Sequence, residues 1–289
     1  MAASDGDGWA LCARGHRHWG IFGASGLLVV HRDTGGSTHV LMQHRSFDSH
    51  HGGTWALPGG ARDSHESSVE TALREAAEEA AIARGDLRVQ GVYLDDHGGW
   101  SFETVIAAAS VKIEARPANG ESIELRWLPV ADVAAQPLHP GFAETWPAIM
   151  HVLRPLRIVL DAANVVGSRA DGWWRDRAGA ATRLLTEVSA LAAYGVRALP
   201  GDNQPTRVFP RFTVVVEGAA RTARSTGEID VVAAPGSGDD AIVDAVRYAA
   251  PWERVLVVTA DRALRSRCLA LGASVVGPRW LLEQLPAPS

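Results

Sequence analysis

Cysteine is nearly absent from this 289-residue chain: only Cys12 and Cys268 occur, far apart. A disulfide framework is therefore not expected, and a reducing, cytoplasmic setting fits the composition. No apolar run approaches the roughly 20 residues that span a bilayer. The first residues are acidic and carry no apolar stretch, so they do not read as a secretory signal. There is no internal repeat. The net charge of −5 argues against a chain-wide electrostatic grip on nucleic acid, while leaving room for a local basic groove. What is present is a 46% hydrophobic composition over a length that suits two ordinary domains.

The densest chemistry lies between Gly60 and Ile82. Glu75, Glu78 and Glu79 stand at i, i+3 and i+4, which places all three on one helix face. Like charges at that spacing repel, and a hard divalent cation removes the cost. Mg²⁺ takes a few carboxylates plus phosphate oxygens, so the segment reads as a metal platform for a phosphate. The bland alternative is a solvated acidic face.

The pattern resembles the Nudix box, Gly-x5-Glu-x7-Arg-Glu-apolar-x-Glu-Glu-x-Gly-apolar. Gly60, Glu66, Arg74, Glu75, Ala76, Glu78, Glu79 and Ile82 fall in register, and the lead-in from Gly52 through Trp55 and Pro58 to Gly59 is similar as well. One position departs: Ala81 stands where the family has glycine. Either Ala81 takes a left-handed turn at a cost of roughly 1 kcal/mol, or the helix runs on to Gly85. The resemblance covers about residues 19–150. It implies an α/β/α sandwich with a mixed sheet and a pyrophosphohydrolase using Mg²⁺ or Mn²⁺. Glu75, Glu78 and Glu79 would hold the metal, and Arg74 would orient them with Glu66 as its partner. Gly59 and Gly60 would let the backbone approach metal and phosphate. A carboxylate outside the box often completes such sites, and Glu121 and Glu124 are the two candidates, with Glu121 favoured. Trp55, His44, Arg45, His97 and Trp100 are candidates for a base pocket. Cys12, His16 and His18 lie close in sequence, but no cysteine pair lies nearby, and zinc is not expected there.

Strand signals fall at 26–30, 40–43, 89–94, 102–107 and 124–128, with the acidic helix over about 66–83 and a ragged lead-in over 1–18. The character changes near residue 153, giving expected domains of 1–153 and 154–289. Beyond it, apolar strands at 158–161, 212–217, 229–233, 255–261 and 274–276 alternate with helices at about 175–194, 239–249, 262–271 and 278–285. That alternation predicts a doubly wound parallel sheet. The stretch 221–227 is polar and reads as a mobile loop.

Asp161, Glu217, Asp239, Asp240 and Asp261 fall near the carboxyl ends of those strands, the edge where open α/β sheets bind ligands. The segments Leu160–Asp161–Ala–Ala–Asn164, Gly–Ser–Gly–Asp239–Asp240 and Val258–Thr–Ala–Asp261 resemble the NYN family of PIN-like ribonucleases over about residues 157–285. The resemblance implies that Asp161, Asp239 or Asp240, and Asp261 hold a divalent metal for RNA cleavage, with Asn164 orienting Asp161 or a phosphate. Arginines 169, 175, 177, 262, 265 and 267 would meet an RNA backbone. Trp173 and Trp174 would stack on bases or pack between domains. Two other readings stand beside it. Gly236–Ser–Gly238–Asp–Asp–Ala241 imitates a dinucleotide-binding turn, although two acids there oppose a bound pyrophosphate. Asp239 and Asp261 are also natural helix caps. The functional expectation is a nucleotide pyrophosphohydrolase with an RNA endonuclease domain. The alternatives are an RNA-end processing enzyme, a hydrolase of modified nucleoside triphosphates with a docking module, and a nucleotide sensor without turnover.

Overall fold

A computed structural model describes residues 5–170, 172–201, 204–222 and 229–285. The chain divides into two compact units, Met1–Leu153 with Ala198–Arg207, and Arg154–Arg197 with Val208–Ser289. Among the described residues no helix is long and apolar enough to cross a membrane.

The first unit opens with β1 (Trp9–Leu11) and β2 (Arg17–Trp19), a small antiparallel hairpin where the sequence suggested only a ragged lead-in. Its three-residue strands carry no apolar alternation, and a Trp9–Trp19 edge-to-face pair at 5.5 Å bridges its open end. The main sheet follows with β3 (Ala24–Arg32), β4 (Thr38–Arg45), β5 (Trp55–Ala56), β6 (Gly59–Ala61), β7 (Leu87–Asp96), β8 (Ser101–Ala109) and β9 (Ser122–Pro129). Its central order is β7-β8-β3-β4-β5, with β6 also on β3 and β9 also on β4. The β3–β8 pair is parallel and the others are antiparallel, so the sheet is mixed.

Six consecutive residues of β3 are buried, as a strand covered on both faces requires. Alternation assigns the faces. Leu28 and Val30 share a core with Phe142, Trp146 and Ile149 of α2 (Pro140–Val152). Ser25, on the opposite face, donates from Oγ to the Ser68 carbonyl at the start of α1 (Ser68–Ala80). The two helices thus cover opposite faces, the expected sandwich. A capping box starts α1: Glu70 N donates to Ser67 Oγ and Ser67 N to Glu70 Oε2. The helix does not reach Gly85. It ends at Ala81, whose φ of 54° and ψ of 34° place a non-glycine residue in the left-handed region.

The second unit contains β10 (Leu156–Asp161), α3 (Ala162–Gly167), α4 (Arg177–Tyr194), β12 (Arg211–Val216), β13 (Ile229–Ala233), α5 (Gly238–Arg247), β14 (Arg254–Val258), α6 (Arg262–Ala270), β15 (Ser274–Val276) and α7 (Pro278–Leu282), while β11 (Arg207–Val208) falls on the division itself. Five strands form a wholly parallel sheet in the order β13-β12-β10-β14-β15. Val159, Val215 and Val257 of the central strands pack against Ile242 and Val243 of α5 and Leu264 and Cys268 of α6. The order reverses between β10 and β14, which creates a crevice at their carboxyl ends. Of the 221–227 segment, Arg221 and Thr222 end a short 3₁₀ turn, and the remainder lies outside the described residues. Cys12 and Cys268 are both free thiols and buried.

Candidate functional site

In the first unit the glutamates of α1 meet the loop and strand that precede it. Glu79 is 2% exposed. Its Oε2 accepts from Gly59 N at 3.0 Å and from Gln43 Nε2 at 3.1 Å. Gln43 in turn donates to Ser122 Oγ at 2.7 Å, while its own Oε1 is buried without a partner. Burial pushes the Glu79 carboxyl up to about 8, and hydrogen bonding and charge from Glu121 add to the rise. Glu75 is raised in the same way, first by burial, against the lowering pull of Arg74. Glu78, with a side chain 55% exposed, points toward solvent from the next turn.

Arg74 organises this acid face. Its guanidinium grips Glu66 through Nε–Oε1 at 2.7 Å and Nη2–Oε2 at 2.9 Å. It also donates to Glu75 at 2.8 Å, to Glu78 at 3.4 Å and to the Ala61 carbonyl at 3.1 Å. The Arg74 bonds, helped by Thr71 Oγ1, hold the Glu66 carboxyl below its ordinary range. Arg74 therefore acts as a brace, with no free lone pair to ligate a metal. Gly60 is needed for closeness: a Cβ there would lie 2.5 Å from Glu75 Oε1. Of the two candidates outside the box, Glu121 borders Glu79 and Glu75. Glu124 is occupied by a two-point bond with Arg126 at 2.7 and 2.8 Å.

The proposed base contacts are arranged differently from the sequence expectation. Trp55 is 5% exposed and belongs to the sheet core, with the His44 ring stacked on it and the Arg126 guanidinium over it. Arg45 keeps a buried Nε without a partner. His97 and Trp100 are buried beside the N-terminal hairpin, where Trp100 Nε1 donates to the Gly20 carbonyl. The rings of Trp55, His97 and Trp100 are thus largely engaged in packing.

In the second unit the acids gather at the carboxyl edge of the sheet. Asp161 Oδ2 accepts from Thr259 Oγ1 at 2.9 Å across the β10/β14 crevice, and Asp161 Oδ1 caps α3 through Asn164 N at 3.0 Å. Asn164 Oδ1 accepts from Ala260 N at 2.8 Å, which ties the two strand ends together. Burial raises the Asp161 carboxyl, with charge from Asp239 and Glu217 contributing. Burial also raises Asp239, followed by charge from Asp261. Asp261 caps α6 through Leu264 N, and Asp240 is paired with Arg267 at 2.6 Å. Gly238 N donates to Glu217 Oε2 at 2.8 Å. A carboxylate therefore occupies the backbone donor that a dinucleotide phosphate would need, which removes the dinucleotide reading.

Among the described residues three sets of side chains bring one ligand atom each within 4.8 Å of one another: Cys12, His16, His18 and His97; His50, His51 and His139; and Asp5, Asp63 and His65. Neither the box glutamates nor the second-unit acids form such a set. The sequence grouped Cys12, His16 and His18, with zinc not expected there, but it did not supply His97, which the turn after β7 brings to them; nor did it find the other two sets.

A family model described as the NUDIX domain matches residues 23–149. The protein "Putative 8-oxo-dGTP diphosphatase 3" of Mycobacterium tuberculosis is 46% identical over 148 residues, covering 49% of this chain and 68% of that protein. The chain belongs to the Nudix family. Its Nudix region is also 46% identical, over 146 residues, to a "Nucleoside triphosphate pyrophosphatase/Nudix hydrolase fusion protein" of Bifidobacterium longum, matching 49% of this chain and 30% of that protein. A solved Nudix hydrolase from M. smegmatis, RenU, is 45% identical, covers 50% of this chain and 94% of its own, and superposes with a TM-score of 0.47. Glu66, Glu75, Glu78 and Glu79 lie within the matched region, the last three on α1.

Proposed function

We propose that the first unit is a divalent-cation-dependent pyrophosphohydrolase of nucleoside di- and triphosphate derivatives. The observation that carries this reading is Glu79: an almost fully buried carboxylate beside Glu121 and Glu75, fixed by the Gly59 amide. Acids held together out of water favour a cation or a shared proton. The donor set fits Mg²⁺ or Mn²⁺, being all oxygen, and Glu75, Glu78, Glu79 and Glu121 are the residues that would hold the ion. When bound, the cation would neutralise the pyrophosphate and make a water more acidic. Glu79, lifted toward neutral pH, is suited to hold or release a proton there. Arg74 keeps the acids in register, and Gly60 lets the Glu75 carboxylate lie close against the loop backbone. A triphosphate with a modified purine is the proposed substrate class, carried over from the name of the mycobacterial relative. A panel of oxidised and normal nucleotides with Mg²⁺ tests the reading. Release of pyrophosphate that Glu78→Gln abolishes supports it, full turnover by Glu78→Gln refutes it, and binding without any hydrolysis favours a nucleotide sensor.

For the second unit we propose metal-dependent RNA cleavage of the NYN/PIN-like kind at the β10/β14 crevice. The Asp161–Thr259 bond across the strand-order reversal favours it, with Asp239, Glu217 and Asp261 in its electrostatic neighbourhood. Labelled RNA with Mn²⁺ is the assay, and cleavage surviving Asp161→Asn rejects the assignment. Activity of both units on one RNA would favour RNA-end processing.

A further inference from the structure

We propose that Cys12, His16, His18 and His97 form a structural zinc site that ties the N-terminal hairpin to the turn between β7 and β8. Four ligand atoms, one from each residue, lie within 4.8 Å of one another. One thiol and three imidazoles are a donor set for zinc, not for the Mg²⁺ or Mn²⁺ expected at the glutamates. A closed tetrahedral site needs ligand separations of roughly 3.4–3.6 Å, so the loops close by about 1 Å around the ion.

The backbone prepares the site independently of any metal. Cys12 N donates to the His16 carbonyl and Gly15 N to the Cys12 carbonyl, so the hairpin turn folds Cys12 over His16. Gly15, at φ 80°, permits that turn. One strand position beyond Arg17, His18 stacks on Trp100 with ring centroids 3.9 Å apart. Across the cluster, Ala13 N donates to the Gly98 carbonyl at 2.7 Å and fixes the second loop against the first.

Two ring nitrogens carry the argument furthest. His97 is 8% exposed, and its Nε2 pairs with Asp95 Oδ2 at 2.9 Å. That pairing puts the ring proton on Nε2 and leaves the Nδ1 lone pair free, and Nδ1 is buried with no hydrogen-bond partner. A carboxylate behind a histidine in this way orients metal-binding imidazoles. His18 Nε2 is likewise buried and unpartnered. Burying such atoms unsatisfied is costly, and a bound cation offsets that cost. The other two clusters of side chains contain no buried unpartnered nitrogen. With four protein ligands the ion has no open position, so its role is structural: it staples a short hairpin that has little apolar core of its own.

Metal analysis of the full chain, purified without chelator and without a nickel column, tests the proposal. About one zinc per chain is expected, resistant to dialysis against Mg²⁺. Cys12→Ser and His97→Ala should each cut that content at least about tenfold, whereas Glu79→Gln should leave it unchanged and so separates this site from the box. Replacing zinc by Co²⁺ should give a thiolate-to-cobalt absorption that survives Cys268→Ser and is lost in Cys12→Ser. The exposed His16 offers a variant that does not disturb the core: His16→Ala should shift the cobalt spectrum while keeping wild-type circular dichroism. Wild-type protein that takes up no zinc on reconstitution overturns the proposal. So does zinc content indifferent to both Cys12→Ser and His97→Ala, or copper or iron found in zinc's place.

Discussion

The two units both collect carboxylates at one edge of a sheet, but they hold them differently. In the first, Glu79 is enclosed and Glu75 mostly so, and Arg74 spends its two-point bond on Glu66. The acid face holds more carboxyls than Arg74 can pair, and burial raises Glu75 and Glu79. In the second, four of the five acids are individually employed: Asp161 and Asp261 cap helices, Glu217 accepts from the Gly238 amide, and Asp240 pairs with Arg267. An acid that caps a helix is stable without a ligand, whereas an acid buried beside another is not. The first arrangement therefore calls for a cation more strongly than the second.

The sharpest way to break this comparison is to neutralise one acid in each unit. Glu79→Gln should lower nucleotide turnover on the order of 10²–10⁴-fold, whereas Asp161→Asn should leave it at the wild-type rate, read by pyrophosphate release. Next come two of the two-point arginine pairs, one from each unit. Arg157 grips Glu253 through two bonds of 3.1 Å, as Arg74 grips Glu66. Arg74→Met and Arg157→Met should each cost roughly 2 kcal/mol, less than the about 3–5 of a fully buried pair because both arginines are partly exposed. Only Arg74→Met should also reduce nucleotide turnover; equal activity in the two variants would mean that Arg74 is not a brace for the glutamates. Denaturant midpoints and steady-state rates measure the two effects.

Acid sensitivity should likewise favour one unit. Burial, aided by the charges of His51, Arg45 and His50, pushes the His139 imidazole down to about 4. The folded state thus binds fewer protons than the unfolded state between pH 6.5 and 4. Stability contributed by neutral His139 is present above pH 6.5 and is lost as pH falls through about 4. His139→Gln should flatten the melting temperature over that window. A smaller effect is expected from Gly60→Ala, whose Cβ would displace Glu75 and slow turnover roughly tenfold. Gly238→Ala, which crowds Glu217 at 2.7 Å in the same manner, should not alter nucleotide hydrolysis. The smallest is Ala81→Gly, which relieves a left-handed alanine and should stabilise by about 0.5–1 kcal/mol, visible in thermal melts.

Much of the fold was legible because its signals are local. Runs such as Gly26–Val30 and Ile158–Asp161 could only be buried strands, and both lie inside strands. The spacing of Glu75, Glu78 and Glu79 defined a face before any neighbour was known, and Glu66 was readable as the partner of Arg74. Glu121 was favoured over Glu124 from its loop position, but the β4–β9 pairing and the Glu124–Arg126 bond, which separate the two acids, were not legible. Trp55 looked like a base platform because an aromatic residue near a glycine-rich loop suits either stacking or packing. Its burial follows from β5 lying on β4. The N-terminal hairpin was missed because three-residue strands carry no measurable period.

The sequence by itself determined the acid face and the alternation of strands and helices, since each rests on periodicity within a few residues, and the resemblance supplied the role of Arg74. Tertiary structure alone decided that Glu79 is enclosed, that Asp161 meets Thr259, and that His97 joins Cys12, His16 and His18 from 79 residues beyond His18. The physical reason is that burial and ligand geometry are properties of pairs of segments, and nothing in either segment alone records where the other will lie.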